Sequence, residues 1–163
     1  MMTLPSGGIG LAQTCEIFNI TEVLHLFYER ATKEVKDINK LVDKELLDQV
    51  RCMRDGMFAR NKVKRTWKTP LEYLDTITAL LAKEGTFGTP LYEKLGSMGI
   101  IFQVKDCGGS RTIHKRKIIG PVCPKALFIM LLLKVEFPDH EFRSKYTVYE
   151  TNGSKTELMF DRK

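Results

Sequence analysis

The sequence predicts an α+β fold, with an N-terminal helical half packed with a C-terminal, mainly antiparallel sheet. Three observations carry this. Apolar residues recur at helical spacing between Ile20 and Leu81, interrupted by start and stop signals. After Gly99 the texture changes to short strand-like runs separated by Gly, Pro and Asn. Nowhere do strands and helices alternate in the way that marks a parallel βαβ core.

The N-terminal stretch of about twelve residues is rich in glycine, poor in apolar bulk, and expected to be flexible. The rest, 13–163, reads as one α+β domain, helical over about 20–97 and β-rich over about 100–161. The helical period starts at Ile20, Val23, Leu24 and Phe27, with Asn19 and Glu22 forming a capping box. It continues through Val35, Leu41, Leu46, Val50, Met53 and Met57. That is longer than an ordinary globular helix, so a break is expected near Asp37 to Lys40, and Gly56 is expected to end the second piece. Thr69-Pro70 places an N-cap and a first-turn proline before Leu71, Leu74, Ile77, Leu80 and Leu81, with Gly85 as terminator. Thr89-Pro90 repeats the start signal and predicts a short helix ending near Gly96.

Ile100 to Lys105 reads as a strand, and Thr112 to Ile119 as its hairpin partner across Asp106 to Ser110. The apolar run Ala126 to Phe137 fits a buried strand or a buried helix; the Val135-Glu136-Phe137 end favours strand. Lys145 to Glu150 and Lys155 to Phe160 flank Asn152-Gly153, which predicts a hairpin closed by a type I′ turn.

The chain has 163 residues, enough to bury a sizeable core without staples. With 43% hydrophobic and 28% charged residues it belongs among folded domains, not disordered chains. No apolar run approaches the roughly 18 residues of a membrane span. The opening MMTLPSGGIGLAQ lacks the layout of a secretory signal, and Met2 replaces the glycine that myristoylation needs. A cytoplasmic placement is therefore expected, with nuclear or membrane-peripheral placement as alternatives. The sequons at Asn19 and Asn152 are read as chance. Cys15, Cys52, Cys107 and Cys123 form no C-x-x-C pair and are expected to be free thiols.

The net charge of +6 is unevenly distributed. Arg60, Lys62, Lys64, Arg65 and Lys68 surround Trp67 without an intervening acid. Arg111, Lys115, Arg116 and Lys117 form a second cluster on the predicted strand 112–119. Lys and Arg neutralise phosphates, and a tryptophan can stack on a base or sit among lipid headgroups. The bland counterparts are a solvated helix end with a core tryptophan, and an edge strand whose lysines oppose aggregation.

No other motif carries chemistry. His25, His114 and His140 make no close ligand pair with a cysteine, so no metal site and no cofactor are expected. Gly7-Gly8-Ile9-Gly10 lacks the preceding strand and following Lys of a phosphate loop. The expected function is a non-enzymatic basic binding and assembly module engaging RNA or an anionic membrane surface. Homo-oligomers fit that role, and viral matrix- or nucleocapsid-associated structural proteins are its functional analogy. The alternative is a nucleic-acid-processing enzyme with dispersed carboxylates such as Glu72, Asp75, Asp106 or Asp139.

Overall fold

A computed structural model describes residues 44–85, 88–106, 119–120 and 123–162. Within them lie three helices and an antiparallel five-stranded sheet, so the fold is α+β. The predicted helix from Ile20, the break near Asp37 to Lys40 and the second basic cluster, Arg111, Lys115, Arg116 and Lys117, lie outside the described residues.

Helix α1 spans Lys44–Arg60 and turns Leu46, Val50, Met53 and Met57 inward at a spacing of four, three and four, with Phe58 beside Met57 widening the apolar stripe. It runs through Gly56, which corrects the expected stop there. The stop signal was too weak because the apolar stripe continues to Phe58. Helix α2 spans Pro70–Glu84 as its sequence signals require. Thr69 is extended (φ −126°, ψ 155°) and its hydroxyl accepts the Glu72 N–H, while Gly85 closes the helix at φ 74°.

Strand β1 is Thr89–Lys94, where a short helix was expected. Thr-Pro opens a helix only if the following residues can bury a helical face. Here the chain pairs with β2, Gly99–Lys105, from Thr89↔Lys105 to Lys94↔Ile100. The Leu95 N–H bonds the Gly99 carbonyl. Alternation along the ladder then turns Pro90 away from β2, where its missing N–H costs no bond. β2 has β1 and β5 as neighbours, so it does not pair with 112–119. The described end of that stretch, β3 (Ile119–Gly120), pairs with β4 at the other edge of the sheet.

Helix α3 is Pro124–Glu136, which corrects the expected strand. Ala126 to Leu133 are each no more than 1% exposed. The helix is sandwiched between α1 and the β2 and β4 side of the sheet. A helix covered on all sides needs no polar face, so it carries no amphipathic period and resembles a buried strand in sequence. Its start is tied to the sheet: the Cys123 N–H donates to Thr147 Oγ1 at 2.9 Å, and Thr147 pairs with Thr156 at 2.7 Å, both fully buried.

Strands β4 (His140–Glu150) and β5 (Gly153–Arg162) form the predicted hairpin. A β-bulge lies between Ser144 and Thr147. The turn residues are Thr151 and Asn152, since Glu150 pairs with Gly153, and neither has a positive φ. The type I′ assignment is thereby corrected. Gly153 serves another purpose: a Cβ there would stand 2.2 Å from the Val104 carbonyl oxygen. Gly153→Ala should therefore cost on the order of 2–3 kcal/mol, because the obstruction is backbone. Gly56→Ala should instead add about 0.5–1 kcal/mol, since its Cβ would meet only the end of the Arg60 side chain at 3.5 Å. Chemical denaturation of both variants checks the opposite signs.

Cys123 is free and buried, but Cys52 is disulfide-bonded. The expectation of four free thiols is corrected accordingly. None of the described helices is long and apolar enough to cross a membrane.

Candidate polyanion-binding site

The basic segment begins at the C-terminal cap of α1. The Val63 N–H bonds the Phe58 carbonyl at 3.0 Å and the Lys62 N–H bonds Ala59 at 3.2 Å, the paired bonds of a Schellman cap. Lys62 occupies its left-handed position (φ 51°), where glycine is the usual residue. Lys62→Gly should raise stability by about 1 kcal/mol while removing a charge, which thermal unfolding would register.

From the cap the chain must reach Thr69. Asn61 Nδ2 donates to Glu84 Oε1 at 2.9 Å, at the far end of α2. A fifteen-residue helix rises about 21 Å from first to last residue. The link between α1 and α2 covers most of that length and therefore runs largely extended. Lys62, Lys64, Arg65 and Lys68 are exposed, whereas Val63 and Trp67 pack on the core.

The five predicted cations divide into two groups. Arg60 lies 3.8 Å from Glu84, and Arg65 lies 3.0 Å from Asp55 with its guanidinium 5.9 Å from the centre of the Phe58 ring. Lys62, Lys64 and Lys68 make no ion pair with a described residue. They form a row of unneutralised charge along the link.

Trp67 faces the other way. Its Nε1 donates to Glu136 Oε1 at 2.8 Å, and its ring lies 5.4 Å from Phe58 and 5.1 Å from Tyr73. Truncating a packed tryptophan costs about 3–5 kcal/mol. Stacking on one base returns roughly 1–3 kcal/mol. Trp67 therefore stays in place as the link's internal anchor.

Below it lies a buried charge network. The Arg54 side chain is only 5% exposed, and its Nη1 donates to Glu136 Oε2 at 2.7 Å. Its Nε and Nη2 reach Asp55 Oδ1 at 3.0 and 2.9 Å. Glu136 thus joins α3 to α1 through Arg54 and to the link through Trp67. Neither Arg54 nor Glu136 was singled out in the sequence, although each left a trace. Arg54 interrupts the apolar stripe four residues after Val50. Glu136 is an acid in the last turn of a helix, where the dipole disfavours it unless a cation compensates.

Tyr73 completes the cluster. Its hydroxyl is fully buried and has no hydrogen-bond partner, and burial pushes its pKa well above the ordinary tyrosine value. Tyr73→Phe keeps the ring contacts and removes an unsatisfied polar atom. It should leave stability unchanged or raise it by up to about 1 kcal/mol in urea denaturation.

The carboxylates of the enzymatic alternative each have a local partner. Glu72 accepts the Lys68 N–H, and Asp75 accepts the Tyr92 hydroxyl. Desolvation, then this bond to Asp75, push the Tyr92 hydroxyl up to about 12. Asp106 lies 3.5 Å from the Thr89 hydroxyl. Asp139 contacts His140 at 3.0 Å and Arg162 at 3.7 Å, and the His140 bond holds its carboxyl below the usual range. Among the described residues, no three His, Cys, Asp or Glu side chains come together as a metal site would require. Comparison of the chain with protein-family models, with curated proteins and with solved structures finds no match.

Proposed function

We propose that this chain is a non-enzymatic binding and assembly module that engages a polyanion, RNA or an anionic membrane surface, through the link between α1 and α2. The observation that carries the reading is the row of exposed lysines 62, 64 and 68, none of them paired with a described acid. Other exposed lysines, among them Lys83, Lys94 and Lys105, are likewise unpaired among the described residues, so what sets the link apart is density: Lys62, Lys64 and Lys68 fall within seven residues that contain no acid. Three together on one short link leave a local excess of positive potential that phosphates would neutralise. Arg60 and Arg65 add charge but are partly spent on Glu84 and Asp55. Trp67 belongs to the support of the link. The role suits a structural protein of the viral matrix- or nucleocapsid-associated kind, whose ligand is long and carries many charges.

The test measures binding to single-stranded RNA and to phosphatidylserine-containing liposomes in parallel at low salt. Binding to either, weakened in the Lys62→Gly, Lys64→Ala, Lys68→Ala variant, supports the reading. Failure of the parent protein to bind both ligands would exclude it.

A further inference from the structure

We infer that the link takes a nucleic-acid strand and reads its phosphates alone, without regard to base. This rests on the polyanion reading of the link and narrows it. The free cations lie along a single extended path. At the rise of an extended chain, a step of two residues separates Lys62 from Lys64 by about 7 Å and a step of four separates Lys64 from Lys68 by about 13 Å. A line of charge matches a linear polymer better than a plane of headgroups. Membrane attachment by so few lysines ordinarily needs an apolar wedge as well, and both apolar residues of the link, Val63 and Trp67, face the core.

Base recognition needs an aromatic face or a free side-chain edge. The Trp67 indole is held by its bond to Glu136 and by Phe58 and Tyr73. Among the residues whose side chains are described, no aromatic is exposed. What the link presents outward is mainly ammonium groups, which act as point charges without base-edge geometry, while the exposed Arg65 guanidinium is engaged by Asp55 and lies over the Phe58 ring.

Trp67 is the chain's one tryptophan, so its emission reports on the link directly. The full chain is titrated at low salt with single-stranded poly(A), poly(U) and inorganic polyphosphate of matched charge, and with phosphatidylserine vesicles. The two RNAs and polyphosphate should bind within about threefold of one another, as counterion release predicts. Trp67 emission should change by less than about a tenth, since no base stacks on it. Strong quenching by RNA but not by polyphosphate, or a large preference between the two RNAs, overturns base-blind reading and leaves the polyanion reading intact. Binding to vesicles alone overturns the nucleic-acid assignment while sparing the broader one. No binding to any ligand removes both.

Discussion

Replacing Glu136 with alanine should destabilise the fold by about 3–5 kcal/mol, because it leaves the buried Arg54 guanidinium without its principal counter-charge. The Arg54 side chain is 5% exposed and Glu136 is 12% exposed. Asp55, which also contacts Arg54, is half exposed and can offset only part of the loss. The Trp67 N–H loses its acceptor at the same time. For a domain of this size, 3 kcal/mol corresponds to a fall in Tm of roughly 6–12 °C. The double variant Arg54→Met, Glu136→Gln removes both charges and keeps an acceptor for Trp67, so it should recover at least about half of the loss. A Glu136→Ala cost below about 1 kcal/mol would mean that the network is a spectator.

The legible parts of the fold were those whose signals are local. Thr69-Pro70 and Gly85 bound α2 because an N-cap hydroxyl, a first-turn proline and a left-handed glycine each act within a few residues. The β4–β5 hairpin was visible for the same reason, although its turn sits one residue earlier than Asn152-Gly153 suggested. Gly153 is needed for its closeness to Val104, a contact 49 residues away in sequence that no turn rule contains. The β1 and α3 regions were misread where tertiary packing outweighed a local signal. Thr89-Pro90 sits in an edge strand, and α3 is covered on every side.

The site divides along the same line. Clustered cations at Arg60, Lys62, Lys64, Arg65 and Lys68 are a property of the sequence. Which of them are neutralised is a property of the fold, since Glu84 comes to Arg60 only once the ends of α1 and α2 meet, and Asp55 to Arg65 only once the link folds back along α1. Trp67 looked like a ligand contact because its true partner, Glu136, lies 69 residues downstream.

The central claim is that the link charges, and not net charge at large, bind polyanions. It is tested by the salt dependence of RNA affinity in two variants of equal charge. One is Lys62→Gly, Lys64→Ala, Lys68→Ala. The other removes the exposed Lys83, Lys94 and Lys105, which lie on α2, β1 and β2. Each loses three charges from the parent's +6. Single-stranded contacts contribute about 0.7 per phosphate to the slope of log affinity against log salt, so the link variant's slope should be shallower by about 2. Its low-salt affinity should fall on the order of a hundredfold, by analogy with the ~1 kcal/mol per lysine found at anionic surfaces. The second variant should keep the parent's slope to within about 0.5. Equal losses in the two variants would contradict the account, because binding would then follow total charge and the link would be an ordinary solvated face.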